Sequence, residues 1–168
     1  MKMKIILASH NWNKFSEMEE ILRKMPIELI TLNEFQEIGE IIEDGKTLKE
    51  NAFIKARTVH NLTNLPAISD DTGLEVDTLG GGPGIYSARY AGENCSYSDN
   101  VNKLLDEMKN IPPERRSARF RTVIAYVDDN MELATEGTVE GIIADMPKGF
   151  DGFGYDPVFY IPNIKKTY

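Results

Sequence analysis

The sequence predicts a mixed α/β domain in which helices pack on a central sheet, and three observations predict it. Short β-rich apolar runs alternate with stretches whose apolar residues fall at helical spacing, so strands and amphipathic helices take turns along the chain. Two longer runs in the C-terminal half flank the turn-forming trio Asp128-Asp129-Asn130, which reads as an antiparallel hairpin. A length of 168 residues, with 41% hydrophobic and 27% charged residues, suits one domain spanning 1–168 around one substantial core.

Taken in order, "KIILAS" is a short buried strand. "NKFSEMEEILRKM" is a helix whose apolar face carries Phe15, Met18, Ile21, Leu22 and Met25, with Asn13 as its cap. "IELITL" is a second strand. "TLKENAFIKARTVHNL" is a helix opened by a Thr47/Glu50 capping box, its apolar side built from Leu48, Ala52, Ile54, Ala56 and Val59. "PAISDDTGLEVDTL" reads as a short apolar strand, a polar turn and a second alternating strand. The glycine-rich "GGGPGIYSARYAGENCSY" follows as a loop, and "SDNVNKLLDEMKN" as a capped helix stopped by Pro112-Pro113. The hairpin "ARFRTVIAYVD" and "MELATEGTVEGIIA" comes next, then a second glycine-rich loop and a brief strand. Repeats, low-complexity tracts and linkers are lacking.

Composition removes several classes of function. No apolar run approaches the ~20 residues that cross a bilayer, and the apolar start stops at Ser9-His10-Asn11, too short for a signal peptide. Cys95 is the single cysteine, so there is no internal disulfide, and two histidines with it make no typical zinc cluster. A cytoplasmic chain without membrane partners is therefore expected. The formal charge is −8, from 27 acidic and 19 basic residues, with no basic face of the kind duplex nucleic acid requires. An acidic protein that takes an anionic ligand needs a few well-placed lysines or arginines, or a bound divalent metal.

Five stretches carry candidate chemistry. "GEIIEDGKT", Gly39 to Thr47, imitates a phosphate loop, but five residues separate its glycines and Glu40, Glu43 and Asp44 would repel a triphosphate. "SHNWNK", Ser9 to Lys14, lies between the first strand and first helix, where helix-start N–H groups and a lysine suit an anion; it equally reads as a polar turn with Lys14 in solvent. "SDDTG" places Asp70 beside Asp71. Such a pair attracts Mg2+ and can deprotonate a water, or is an ordinary acidic surface turn. "GGGPGIYSARY" offers Arg89 as an anion clamp, or is a plain connector. "GFDGFGYDP" offers Phe153 and Tyr155 for stacking on a base, or for the core.

Together, "SHNWNK", "GKTLKENAFIKAR", "SDDTGLEVDTLGGGPGIYSARYAG" and "GFGYDPVF", in this order, closely resemble the inosine/xanthosine triphosphate pyrophosphatase family from about Lys4 to Lys166. The resemblance implies Mg2+-dependent hydrolysis of ITP, dITP and XTP to the monophosphate and pyrophosphate, which clears deaminated purines from the nucleotide pool. It implies an elongated mixed sheet flanked by helices, two lobes with a nucleotide cleft, and a homodimer. By motif, the turn Ser9, His10, Asn11, Trp12, Asn13 and Lys14 would bind the triphosphate. Asp71 would be the catalytic carboxylate and, with Glu43, would hold the metal. Thr72, Phe153, Gly154, Tyr155 and Asp156 would contact substrate, with Asp70, Glu50 and Arg89 in supporting positions.

That family continues beyond "NIKKTY" with a helix, a substrate-contacting lysine and a Ser-His-Arg motif that reads the purine. The sequence stops at Tyr168, and His10 and His60 are wrongly placed to substitute. The expectation is a chain truncated at its C-terminus, with exposed apolar surface, weakened base selectivity and impaired activity, while phosphate and metal binding survive. The alternatives are a nucleotide-binding homologue without turnover and a pyrophosphatase for other modified nucleotides.

Overall fold

The structure, a computed structural model, describes residues 2–149 and 152–168. Among these described residues seven strands form one sheet in the order β2-β1-β3-β4-β5-β6-β7, with β1 Met3–Leu7, β2 Ile27–Thr31, β3 Ala67–Val76, β4 Ser117–Val127, β5 Glu132–Ile143, β6 Phe159–Ile161 and β7 Lys166–Thr167. β1 runs parallel to β2 (Met3↔Ile27 to Leu7↔Thr31) and to β3 (Ile6↔Ala67). Parallel neighbours need crossover connections, which α1 (Trp12–Leu22) and α2 (Leu48–Thr63) provide. Only the residues 128–131 join β4 to β5, which forces an antiparallel hairpin, and Asp128 N–H donates to Met131 O across it. β5–β6 and β6–β7 are also antiparallel. Among the described residues no helix is long and apolar enough to cross a membrane.

Chain contacts divide the molecule into two compact units. The first holds the chain up to Asp71 plus Val123–Glu136; the second holds Thr72–Thr122 and Gly137–Tyr168. Ile6, Ala8, Ile30, Leu32, Ile38, Val59 and Ala67 form the first unit's core. The second unit centres on Leu74, Val76, Leu104, Met108, Ile143, Val158 and Phe159. There α3 (Tyr97–Met108) starts on a capping box, Ser96 with Asp99. The buried Arg116 donates to the Met108 and Ile111 carbonyls, so a guanidinium caps the helix's C-terminal end.

Four local expectations need correction. Asn11, not Asn13, caps α1, because its side chain accepts the Asn13 and Lys14 N–H groups from an extended backbone. On α1 only Phe15 is buried, and Ile21 is 72% exposed, since it lies off the stripe shared by Phe15, Met18 and Leu22. "SDDTG" is not a turn: β3 runs unbroken from Ala67 to Val76 with Ser69, Asp70 and Asp71 buried. The Thr47/Glu50 box forms in one direction only. Thr47 Oγ1 accepts Glu50 N–H at 3.1 Å, but the Glu50 carboxylate accepts Lys46 N–H instead, at 2.6 Å.

Gly141 shows how tightly the second unit is packed. A Cβ added there would lie 2.6 Å from the Phe159 ring and 2.7 Å from Tyr160 O. Gly141→Ala is therefore expected to cost roughly 1–3 kcal/mol by overpacking, read as a fall in the urea midpoint without a change in the slope of the transition.

Candidate active site

The site is built from the end of β1, the middle of β3, the first turn of α1, the inner face of α2 and the segment leading into it, all within the first unit. Burial on α2 follows the positions Leu48, Asn51, Ala52, Lys55, Ala56 and Val59. That is one helical stripe, and it carries an amide and an ammonium where apolar residues would be expected. Ile54, assigned to this face from the sequence, is only half-buried.

Lys55 Nζ lies 3.1 Å from Asp71 Oδ1 and 3.2 Å from Glu43 Oε1. A single buried cation thus gathers one carboxylate from β3 and another from the loop before α2. Beside it, Lys14 Nζ of α1 lies 2.5 Å from Asp70 Oδ2. Successive strand residues project to opposite faces, so each aspartate has its own lysine. Ser69 Oγ, the residue before them, donates to Ala52 O at 2.6 Å and ties β3 to α2.

The electrostatics of the four charged side chains are shared. Burial pulls the Lys14 ammonium down, yet Asp70 first, then Asp71 and Glu43, outweigh it and leave its pKa above the ordinary lysine value. Asp71 is pushed above the usual carboxylate range by burial. Lys55 offsets that only in part, and the Glu43 charge adds to it.

Ser9 Oγ accepts Asn11 N–H at 3.1 Å, and the Asn11 side chain accepts Asn13 N–H at 2.9 Å and Lys14 N–H at 3.4 Å. The first turn of α1 is therefore partly satisfied by its own cap. Trp12 is exposed and stacks on Phe15 with centroids 5.1 Å apart; Asn13 faces solvent. His10 Nδ1 lies 2.8 Å from Asn33 Oδ1 and Nε2 lies 3.4 Å from Gly39 O, which fastens the start of the acidic segment. Glu50 holds that segment's other end through Lys46 N–H.

The remaining sequence candidates belong to the second unit. Thr72 Oγ1 pairs with Thr122 Oγ1 at 2.8 Å. The Arg89 guanidinium lies over the Tyr86 ring, 5.3 Å from its centroid. Phe153 packs near Tyr97 at 6.0 Å and gives its N–H to the Asp156 carboxylate at 2.8 Å. Burial raises the Asp156 pKa against the effect of that hydrogen bond. Gly154 adopts φ 62°, while Tyr155 is core, with its hydroxyl donating to Ser87 O at 2.9 Å. Residues 150 and 151 of the same loop lie outside the described residues.

Glu43 and Asp71 fit a divalent cation. Both present hard oxygen donors to one common point, marked here by the Lys55 ammonium. Among the described residues no group of three or more His, Cys, Asp or Glu side chains could hold a metal unaided. The two carboxylates suit a divalent cation that fills its other positions with water and phosphate oxygens. Lys55 and Asn51 were missed in the sequence. The available signal was an asparagine and a lysine set among Leu48, Ala52, Ala56 and Val59 on one helical stripe.

A sequence model of the Ham1 family matches residues 5–168. The chain is 47% identical over 165 residues to the dITP/XTP pyrophosphatase of Thermoanaerobacter pseudethanolicus, an alignment covering 98% of this chain and 83% of that relative. It is 48% identical over 162 residues to the dITP/XTP pyrophosphatase of Vibrio cholerae, covering 95% and 80%. The structure superposes on a HAM1 protein of Coxiella burnetii with a TM-score of 0.88 at 42% identity, covering 98% of this chain and 85% of that one. For the Ham1 protein of Staphylococcus aureus the TM-score is 0.85 at 41% identity, covering 98% and 84%.

Proposed function

The chain belongs to the Ham1 family, and we propose that it hydrolyses purine nucleoside triphosphates bearing a deaminated base, dITP and XTP among them, to the monophosphate and pyrophosphate, with Mg2+. Relatives bearing the name dITP/XTP pyrophosphatase support the substrate and the reaction. One observation carries the chemistry: the Lys55 ammonium draws Glu43 and Asp71 to a single point, with the Lys14–Asp70 pair alongside.

Asp71 is the general base. A carboxylate held above its ordinary pKa is a better proton acceptor than an exposed one. It takes a proton from a water whose oxygen bonds to the α-phosphorus while the bond to the bridging oxygen breaks and pyrophosphate leaves. Lys14, which Asp70 keeps oriented and fully charged, meets the phosphate oxygens. Lys55 keeps Asp71 ionised and aimed. A divalent cation held by Glu43 and Asp71 would supply Lewis-acid charge at the substrate's phosphate oxygens, positive charge that a protein of formal charge −8 otherwise lacks. For contacts to the nucleoside the candidates by motif are Thr72 of β3 and Phe153, Gly154 and Asp156 of the second glycine-rich loop, all half-exposed, and the buried Tyr155 shapes that loop.

The test is to incubate the protein with Mg2+ and ITP, dITP, XTP or GTP and to measure pyrophosphate and orthophosphate separately. Pyrophosphate from the deaminated nucleotides, with far less from GTP, is the expected result. Release of orthophosphate would overturn the reading.

A further inference from the structure

The acidic segment that carries Glu43 has no regular structure from Gly39 to Gly45, so its backbone does not by itself place that carboxylate. Side chains do. Near its C-terminal end the Gly45 N–H donates to Asn51 Oδ1 at 2.9 Å. Asn51 is 1% exposed and sits on α2 one turn before Lys55, the residue that grips Glu43.

The fit around this bond is tight. A Cβ at Gly45 would lie 2.6 Å from Asn51 Oδ1, 2.8 Å from Glu50 Cβ and 3.0 Å from Asn51 N. Only glycine lets the segment approach the helix this closely. Because the Gly45 N–H requires an acceptor, the amide's oxygen must face it, which turns Nδ2 the other way. Among the described residues Nδ2 has no hydrogen-bond partner. A buried, half-satisfied amide is a net cost to folding, whereas an apolar side chain of the same size would carry none.

We infer that Asn51 is a positioning residue for the metal: through Gly45 it fixes the segment two residues beyond Glu43 and so holds that carboxylate where it meets Asp71. The inference rests on the proposed metal-dependent reaction. Without the clasp, Glu43 itself is held by its ion pair to Lys55, and the segment by the contacts of His10 at Gly39 and of Glu50 at Lys46. The ion pair must rearrange when a cation arrives, so the backbone anchor is what keeps Glu43 in place at that moment.

Two substitutions break the clasp from opposite sides, Asn51→Leu and Gly45→Ala. Mn2+ binding is measured by calorimetry without nucleotide, together with thermal unfolding and the Mg2+ dependence of turnover. Both variants are expected to bind Mn2+ about tenfold more weakly. The Mg2+ concentration for half-maximal rate should rise by a similar factor, while kcat at saturating Mg2+ falls less. Asn51→Leu removes the orphaned Nδ2 but strands the part-buried Gly45 N–H, so without metal it should unfold close to the native chain while its Mn2+ affinity still falls, which separates this role from a structural one. The double variant should be little worse than either single one.

In the unmodified protein, adding Mg2+ should shift the Gly45 amide and Asn51 side-chain NMR resonances. This measurement stands even if a variant fails to fold. Unchanged Mn2+ affinity in the folded variants, or resonances indifferent to Mg2+, would overturn the inference. A native chain that binds no Mn2+ would instead sink the proposed metal dependence.

Discussion

Asp71→Asn is expected to lower turnover about a thousandfold or more while leaving the metal-free protein at least as stable as the native chain. A general base contributes roughly 10²–10⁴ in rate, and here the same side chain is one of two carboxylates facing the cation position. The stability half of the expectation follows from the direction of the pKa shift. Burial, only partly offset by Lys55, holds the Asp71 pKa above the ordinary carboxylate value. Between that ordinary value and the raised one, the folded chain binds more protons than the unfolded chain, so stability falls as pH rises through this window. Above the raised value the native state carries the whole penalty. An uncharged amide of the same shape removes it, at the smaller expense of the Lys55 contact, which Glu43 continues to occupy. Pyrophosphate release and thermal unfolding from pH 4 to 8, with and without Mg2+, check both halves. A rate within tenfold of the native protein removes Asp71 as the base. A large loss of stability means that the Lys55 pair outweighs the burial penalty.

The burial of charged side chains against partners distant in the chain also separates the parts of the molecule that were legible in the sequence from those that were not. Features set by local chemistry could be read from it. The helical stripe Leu48, Ala52, Ala56 and Val59, the hairpin turn at Asp128-Asp129-Asn130 and the strands before α1 and β2 rest on periodicity and turn propensity, and they form. The errors occur where tertiary burial overrides local preference. Asp70, Asp71, Thr72 and Gly73 have turn propensity, but in β3 the two carboxylates are buried against ammonium groups from distant helices, and the strand runs straight through. Lys55 was invisible for the same reason: a lysine on an amphipathic helix normally faces water, and nothing within α2 reveals two carboxylates waiting opposite. Asn11 and Asn13 are chemically equivalent as caps, and the choice fell to Asn11, whose φ of −76° and ψ of 112° leave it outside the helix. Glu43 could be assigned only by family resemblance, since its position depends on His10, Glu50, Asn51 and Lys55 together.

Lys55→Met should cost more than any other single change to a lysine of this site, because it strands the buried Asp71 and the part-buried Glu43 at once. Methionine keeps much of the aliphatic volume, so packing against Ala52 and Ala56 is largely spared. The loss is electrostatic. Without the ammonium, Glu43 and Asp71 face one another as like charges, and breaking a buried pair of this kind costs about 3–5 kcal/mol. Lys55 is also the strongest influence lowering the Asp71 pKa, ahead of Lys14. Removing it moves that pKa further up, so the general base stays protonated to higher pH. The acid limb of the pH–rate profile should therefore shift to higher pH, and the rate at pH 7 should fall about a hundredfold. Mg2+ should restore much of the stability, since a divalent cation can take the ammonium's place between the two carboxylates, but not the full rate, because the charge that aims Asp71 is still missing. Lys55→Arg should rescue neither property well, for a planar guanidinium cannot occupy the point where a compact ammonium meets two carboxylates. Unfolding followed across a Mg2+ titration, with pH–rate profiles of both variants, distinguishes these effects. If Mg2+ brings Lys55→Met back to the native rate along with its stability, Lys55 serves only to neutralise charge and has no part in orienting the base.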